Sequence, residues 1–263
     1  MTTRVDAGTS EDAFLGGALH ILQPATGYRA GLDAVLLAAA APLRSGDSER
    51  VLDVGAGVGV VGLAVARRVA TAQVTLLERE AGQVELCRSN ITRNGLAARA
   101  RLLVADVSRP LGEQPELAAL ADSFQHVLAN PPYQRQGTGT VSRLPGKAAA
   151  QAMPREGLGD WLRVLAAMAR PGGSATMIHR ADCLDQLLAA FSARFGRLLV
   201  FPVFPRHGAA AHRVLVQGIK GSRAPLQIRP GLVLHGSGHG FRPEVDAVLR
   251  QGAALDLAAS AGS

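Results

Sequence analysis

A glycine-rich turn directly after a short apolar run is the feature that most restricts what this chain can fold into. Residues 51–54 have the composition of a buried strand. Glycines then follow at alternate positions: Gly55, Gly57 and Gly59. Glycine is required where a tight turn takes positive φ and where a ligand comes too close to the backbone for a Cβ atom. The pattern predicts a strand, a ligand-binding turn and a helix, which together open an α/β sheet.

Six more apolar segments alternate with turn signals and helical patterns. Their nearly continuous hydrophobicity is typical of parallel strands covered on both faces. Besides residues 51–54, the predicted strands are 74–77, 102–105, 126–129, 175–179, 198–204 and 213–219, and the predicted helices are 60–70, 81–94, 160–170 and 181–194. We therefore predict an α/β fold, a Rossmann-like seven-stranded sheet with helices on both faces. Only residues 205–212 separate the last two strands, so the last strand is predicted to be antiparallel.

Three regions are predicted along the chain. They are a hairpin around Gly16 and Gly17 with a short lid segment (residues 1–45), the sheet core (46–222), and an extension (223–263) whose tail frays from residue 253. No apolar run reaches the roughly 18 residues of a membrane-spanning helix. The first twelve residues also lack the order of a signal peptide. We therefore expect a cytoplasmic protein without a membrane partner.

The cysteines and the single tryptophan are expected to be structural. Cys87 and Cys183 are far apart and have no CxxC neighbour, so neither a metal site nor a disulfide is predicted, and both are expected to be buried. Trp161, Leu165 and Met168 fall on one face of the helix predicted at 160–170. That spacing favours core packing for Trp161 over contact with a cofactor.

Acidic residues stand at the ends of three predicted strands: Asp53, Glu78 and Asp106. The carboxyl ends of parallel strands meet at one edge of the sheet, so these side chains are expected around one crevice. Glu78 stands where a carboxylate can accept both hydroxyls of a ribose. Asp106 stands where a carboxylate can meet an adenine ring.

A dinucleotide ligand is an alternative to be weighed. Gly57, Gly59 and Gly62 satisfy the G-x-G-x-x-G spacing, with Glu78 at the usual distance. Asp53 favours a cationic ligand instead, since a carboxylate beside the turn would repel a pyrophosphate. The chain also shows no second mononucleotide-binding half, which further favours the cationic ligand.

A second motif, Asn130-Pro131-Pro132-Tyr133, directly follows the fourth predicted strand. Two consecutive prolines stiffen the backbone and remove two N–H donors, which leaves carbonyl acceptors at the end of the strand. The Asn130 side-chain oxygen and the Pro131 carbonyl could each accept one hydrogen of a planar NH2 group. Tyr133 could stack on the ring that carries the amine. A proline-rich turn with a buried tyrosine is the purely structural alternative.

With these motifs the chain resembles the class I amino-methyltransferases that use S-adenosylmethionine. From about residue 14 to residue 223, including the segment Gly-Tyr-Arg-Ala-Gly-Leu-Asp at 27–33, it resembles the bacterial tRNA(Val) adenine-N6 methyltransferases. The resemblance implies S-adenosylmethionine as cofactor and an adenine in the anticodon loop as target. It implies Asn130, Pro131, Pro132 and Tyr133 as the catalytic residues. The implied cofactor-binding residues are Tyr28, Arg29, Gly31, Asp33, Asp53, Gly55, Gly57, Gly59, Glu78 and Asp106, with Asp33 meeting the methionine ammonium.

The charge of the chain is consistent with a polyanionic partner. The formal net charge is +7, and all but two of the 28 basic residues are arginines, whose guanidinium can grip phosphate. A GC-rich genome would produce the same composition. Candidates for substrate binding are Arg135, Arg143 and Lys147, with a second basic group at Arg206, His207, His212 and Arg213. We predict a tRNA or another structured RNA as partner, with the chain a monomer or weak homodimer.

Two other functions stay open on sequence grounds. A protein glutamine-N5 methyltransferase would present a carboxamide with the same planar NH2 group to Asn130 and Pro131. A non-catalytic, cofactor-holding RNA-binding subunit is a possibility of a different class. The intact motif from Asn130 to Tyr133 argues against the latter.

Overall fold

A small antiparallel sheet forms the N-terminal part of the molecule. The computed structural model describes residues 2–6, 8–27, 29–43, 48–132, 157–238 and 240–258. Strands β1 (Thr2–Asp6), β2 (Thr9–Phe14) and β3 (Leu19–Pro24) pair antiparallel in that order. The predicted hairpin is therefore present between β2 and β3, with Gly16 and Gly17 at φ 65° and 97° in its turn. The additional strand β1 was not predicted.

Within the described residues the main sheet has nine strands, two more than predicted. They are β4 (Arg50–Val54), β5 (Gln73–Glu78), β6 (Ala100–Val104), β7 (Phe124–Ala129), β8 (Ala169–Arg180), β9 (Phe195–Arg206), β10 (Arg213–Lys220), β11 (Gln227–Ile228) and β12 (Leu232–His235). The order is β6-β5-β4-β7-β8-β10-β9, and both β11 and β12 pair with β9. Strand β10 is antiparallel to β8 and β9, whereas the other pairs are parallel. The predicted fold class and the antiparallel last hairpin are confirmed.

Helices cover both faces of this sheet, and the strands are buried because their side chains point alternately into two cores. The helices are α1 (Leu32–Ala39), α2 (Val60–Arg68), α3 (Ala81–Arg93), α4 (Pro115–Ala118), α5 (Gly157–Met168), α6 (Leu184–Ser192) and α7 (Pro243–Gln251). Val51 packs in the core that holds α1, α2 and α7. Leu52 packs in the opposite core, which holds α5 and α6. Among the described residues, no helix combines the length and the hydropathy needed to cross a bilayer.

Local details differ from the predicted boundaries. Helix α5 ends at Met168 rather than at residue 170, and β8 begins at Ala169 rather than at residue 175. The predicted helix 181–194 is a short 3-10 turn at Ala181–Cys183 followed by α6. Cys87 is buried as expected, but Cys183 is partly exposed.

The C-terminal region is packed against the rest of the fold, and the expectation of fraying from residue 253 is wrong as far as residue 258. Val245 and Val248 of α7 are buried, and so is Leu257. The Leu255 N–H donates to the Ala39 carbonyl at 2.9 Å. Helix α7 also lies against the turn between β2 and β3, where a Cβ on Gly16 would stand 2.6 Å from the Arg250 carbonyl oxygen. Residues 259–263 lie outside the described part of the chain.

Candidate active site

The glycine-rich turn connects β4 to α2 in the conformation that its sequence predicts. Gly55, Gly57 and Gly59 have φ angles of 67°, 56° and 96°, which residues with a Cβ atom rarely adopt. Gly59 caps the start of α2, and the Gly57 N–H donates to Glu78 Oε2 at 2.8 Å. The turn is therefore held against the end of the neighbouring strand β5.

Asp53 lies beneath this turn rather than in the wall of the crevice. It is 1% exposed, and its Oδ2 accepts the Gly62 N–H at 2.8 Å, which ties β4 to α2. Burial raises the pKa of Asp53 to about 7, and the charge of Glu78 acts in the same direction, while the hydrogen bond from Gly62 opposes the shift. The carboxyl can thus change charge near neutral pH.

Glu78 ends β5 and faces the crevice. Its Oε1 accepts the N–H groups of Arg79 and Glu80 at 2.7 and 2.9 Å, and its Oε2 accepts that of Gly57. Three backbone donors thus fix the carboxylate. Because a carboxylate oxygen has more than one lone pair, these bonds leave it able to accept hydroxyl hydrogens as well.

Asp106 follows β6 and already has protein partners. It accepts from the Ser108 N–H and hydroxyl at 2.8 and 2.7 Å, and from Arg79 Nη1 at 3.2 Å. Partial burial opposes ionisation, but these hydrogen bonds and the Arg79 charge together lower the pKa of Asp106. The Gln114 side chain holds the Asp106 backbone through both its N–H and its carbonyl. Ala105, Val107 and Ser108 line the crevice, whereas Asp106 does not.

The crevice is a cavity of approximately 800 Å³ at the carboxyl edge of the sheet. Its walls come from the glycine turn, the ends of β5 and β6, the start of α5, the segment after β7 and the N-terminal sheet. The lining includes Gly55, Ala56, Gly57, Val58, Glu78, Arg79, Glu80, Asn130, Pro132, Asp160 and Trp161, and from the N-terminal region Gly8, Thr9, Gln23, Pro24, Ala30 and Ala34.

The second motif reaches the same cavity. Ala129, the last residue of β7, pairs with Val54 of β4 on one side and with Met177 of β8 on the other. Asn130 therefore emerges next to the glycine turn, and both Asn130 and Pro132 line the cavity. Of the other predicted residues, Pro131 is buried beside them. Tyr133, Arg135, Arg143 and Lys147 lie outside the described residues.

Trp161 has a place in the cavity wall that sequence reasoning did not predict. It is 7% exposed and packs in the core, as its helical spacing predicted. It also lines the cavity and lies so close to Gly55 that a Cβ there would stand 2.2 Å from the indole Cη2. A residue pair 106 positions apart in the chain makes this contact, so no local pattern could have indicated it.

Residues at and just before the start of α1 contribute to the wall mainly through small side chains. Ala30 and Ala34 line the cavity. The Arg29 guanidinium instead donates to Ser10 Oγ at 2.5 Å and to Asp12, and Asp33 Oδ2 accepts from Arg213 Nε at 2.8 Å. Gly31 precedes the first turn of α1. Tyr28 lies outside the described residues. Contact of a cofactor with the four predicted positions, 28, 29, 31 and 33, stays a prediction.

The acidic side chains at the cavity suit an organic cation. Glu78 and Glu80 place carboxylates in its wall, with the Asp53 carboxyl behind the turn. Within the described ranges, no group of three or more His, Cys, Asp or Glu side chains could hold a metal ion. A cofactor with a sulfonium and an ammonium group matches these acidic side chains.

Sheet order, glycine turn and acidic strand ends together define the class I S-adenosylmethionine-dependent methyltransferases, and S-adenosylmethionine is the cofactor of this class. The sequence profile of the methyltransferase small domain matches residues 31–158. A solved structure from Agrobacterium tumefaciens, described as a predicted O-methyltransferase, is 34% identical with a TM-score of 0.70, and the match covers 85% of this chain and 98% of that one. The chain belongs to the same methyltransferase family as that protein.

Curated relatives match over a shorter part of the chain. A tRNA1(Val) (adenine(37)-N6)-methyltransferase from Shewanella sp. strain W3-18-1 is 30% identical over 166 residues, which are 63% of this chain and 66% of the relative. The enzyme of the same name from Shewanella sediminis is 28% identical over 71% of this chain and 75% of its own length. An S-adenosylmethionine-dependent O-methyltransferase from Thermotoga maritima, 16% identical with a TM-score of 0.52, covers 76% of this chain and 68% of its own and agrees in fold alone.

Proposed function

We propose that this chain transfers a methyl group from S-adenosylmethionine to the N6 amine of an adenine in the anticodon-loop region of a tRNA. One observation carries the proposal: Asn130 and Pro132 line the same cavity as the glycine turn and Glu78. The groups suited to hold an amine therefore lie beside those suited to hold the cofactor. We further propose that the chain acts in the cytoplasm as a monomer or weak homodimer.

The proposed chemistry depends on positioning. An adenine amino group is a weak nucleophile because its lone pair is delocalised into the ring. The Asn130 side-chain oxygen and the Pro131 carbonyl each accept one amino hydrogen, which holds the nitrogen in place and favours a pyramidal geometry. Tyr133 stacks on the extruded base. When bound, S-adenosylmethionine supplies a methyl group activated by the positive sulfur. Alignment and charge placement carry the reaction, and the proton that the methylated nitrogen gives up passes to solvent rather than to a protein base.

We propose further roles for residues at the cavity. Glu78, fixed by three backbone N–H groups, accepts the ribose hydroxyls of the cofactor. Ionised Asp53 adds negative charge behind the turn, where it attracts a cation through a poorly solvated region. Trp161 excludes water from the same wall. For Asp106 and Asp33 to contact the cofactor, each must share its carboxylate with an arginine that it already binds.

An amine acceptor is favoured over a hydroxyl acceptor by the motif after β7. An NH2 group has two hydrogens for the two acceptors at Asn130 and Pro131, whereas a hydroxyl has one. The curated relatives from Shewanella are named for adenine-N6 methylation of tRNA, which supports the same acceptor. A formal charge of +7 favours binding of a nucleic acid.

The proposal is tested with the purified full chain, S-adenosylmethionine carrying an isotope-labelled methyl group, and tRNA from cells that lack this gene. We expect labelled N6-methyladenine after digestion of the tRNA to nucleosides, measured by mass spectrometry. A bulk protein extract from the same cells serves as the competing acceptor. Labelled methylglutamine in protein, or a methyl ether in either fraction, with unlabelled adenine would refute the proposal.

A further inference from the structure

An exposed phenylalanine stacked on a half-buried histidine, together with an exposed arginine, forms one surface at the end of the main sheet. His235 ends β12 and is in register with Arg206 at the end of β9. The Phe241 ring stacks on the His235 ring, with centroids 4.8 Å apart and planes inclined by 20°. Phe241 is 40% exposed, although aromatic residues make up only 4% of the chain. We call Arg206, His235 and Phe241 the edge platform.

Arg206 differs from the arginines that surround it. Its Nη1 donates to the carbonyls of Gly236 and Gly238 at 2.7 and 2.9 Å, which holds the loop between His235 and Phe241. Three neighbours on this side of the molecule, in contrast, are paired with carboxylates: Arg180 with Asp182, Arg213 with Asp33, and Arg242 with Glu244. In the part of the chain that the structure describes, no carboxylate lies within 4.0 Å of the Arg206 guanidinium. Its positive charge is therefore not neutralised by these residues.

The edge platform lies on the same edge of the sheet as the cavity. Asn130 follows β7, and β8, β10, β9 and β12 succeed it in that order, with Arg180 of β8 level with Arg213 of β10. Strands are spaced about 4.8 Å apart, so the platform lies roughly 19 Å across the sheet from β7. Ala129 is level with Val200 of β9, and the six residues from there to Arg206 add about 20 Å along the strand, so the separation is roughly 28 Å. A strand of RNA whose target base enters the cavity can cover this distance with a few neighbouring nucleotides.

We propose that the edge platform binds unpaired nucleotides of the RNA acceptor that flank the target base. Phe241 stacks on a base, and Arg206 pairs with a phosphate, the combination that proteins use for single-stranded nucleic acid. This inference rests on the proposed function, because it requires that the acceptor be RNA. It assigns Phe241 and Arg206 to substrate binding at a distance from the reacting atoms, with no part in holding the cofactor.

The experiment compares Phe241→Leu and Arg206→Gln with the wild-type chain, using an unmodified RNA stem-loop with a single-stranded loop. Direct binding is measured by fluorescence anisotropy, and methyl transfer gives kcat and KM. We expect Phe241→Leu to weaken RNA binding between about 5-fold and 150-fold, with kcat nearly unchanged and Phe241→Tyr close to wild type. Arg206→Gln should lower the slope of log affinity against log salt concentration by about 0.7 to 0.9.

Arg194→Gln is the matched control. Arg194 is exposed and directly precedes β9, whose 12 residues separate it from Arg206 by about 40 Å. Arg194→Gln should leave RNA affinity near the wild-type value. All variants should keep the wild-type affinity for S-adenosylmethionine, which verifies that they are folded. The inference would be overturned if Arg194→Gln and Arg206→Gln lost RNA affinity equally, or if Phe241→Leu kept the wild-type affinity for RNA. Turnover of RNA by the wild-type chain separately decides the proposed function.

Discussion

The indole of Trp161 covers Gly55 so closely that a Cβ at position 55 would stand 2.2 Å from its Cη2 atom. Helix α5 and the turn after β4 are thereby fixed against each other. Since both residues line the cavity, the width of this part of the cavity is set by a contact that only glycine permits.

Gly55→Ala is expected to damage both stability and cofactor binding. The new Cβ meets the indole, and φ at this position is 67°, so overpacking and backbone strain together should cost about 2–5 kcal/mol in the free energy of unfolding. Denaturant titration and calorimetry with S-adenosylmethionine measure the two effects. Gly159→Ala is the control, because it lies in α5 with open space around its Cβ and should gain up to about 1 kcal/mol. A Gly55→Ala chain as stable as wild type would contradict the packing argument.

Trp161 should report cofactor binding by its fluorescence. It is the single tryptophan of the chain and lies in the cavity wall. Titration with S-adenosylmethionine is therefore expected to change the emission intensity or wavelength in a saturable way. Trp161→Phe should lose the signal while calorimetry still detects binding. An emission spectrum unaffected by a cofactor concentration that saturates the calorimetric signal would place the cofactor away from this wall.

Asn130→Ala is expected to reduce turnover by roughly 10²-fold or more, as does removal of one preorganised hydrogen-bonding group elsewhere. The affinity for S-adenosylmethionine should change little, because the proposed role of Asn130 is to hold the acceptor amine. Asn130→Asp keeps an oxygen acceptor at the same position and should retain more activity than the alanine variant. The readouts are kcat for methyl transfer and calorimetric cofactor affinity. Full turnover in Asn130→Ala would exclude the proposed mechanism.

The buried Asp53 carboxyl should make stability and cofactor binding depend on pH in opposite directions. Its folded-state pKa of about 7 lies above the usual 3.8, so the folded state retains a proton that the unfolded state has lost. The contribution of Asp53 to the free energy of unfolding should therefore fall as pH rises from about 4 to about 7. Cofactor affinity should rise over the upper part of this range, by up to about tenfold per pH unit below the pKa, since the ionised form attracts a cation.

Asp53→Asn distinguishes the pH dependence caused by Asp53 from that caused by other titratable groups. Its amide oxygen can still accept the Gly62 N–H, but the side chain no longer ionises. Urea unfolding and calorimetry across pH 5–8 should both show weaker pH dependence than in the wild-type chain, with lower cofactor affinity at pH 8. If stability and cofactor affinity change with pH to the same extent in the two proteins, Asp53 does not titrate in this range.

Segments with strong local signals were predicted correctly from the sequence. The seven apolar strands were found because strands covered on both faces read as continuous hydrophobic runs. Strands β11 and β12 were missed, since β11 is exposed and both are defined by pairing with β9 rather than by any pattern of their own. Helix α7 is an exception, because it was missed although local signals are present. Pro243 opens it, Gly252 follows its last turn, and Val245 and Val248 are buried on one face.

The same contrast between local signals and long-range contacts applies to the site. The glycine turn, Glu78 and Asn130 were predicted because each belongs to a motif of adjacent residues at a strand end. The partners that these groups have in the folded chain depend on long-range geometry: Gly55 with Trp161, Asp106 with Arg79, and Asp33 with Arg213 across 180 positions. A motif indicates which chemistry a residue can perform, while its partners are defined only when distant segments come together.

The contact of Gly16 with the Arg250 carbonyl gives the last helix an influence beyond its own position. The N-terminal sheet forms one side of the cavity, and α7 packs against the turn between its strands β2 and β3. Helix α7 therefore holds this sheet in position. Removing residues 243–258 should leave the main sheet folded, by circular dichroism, yet speed the dissociation of S-adenosylmethionine in stopped-flow measurements. Ligand retention would then depend on a segment that touches no ligand.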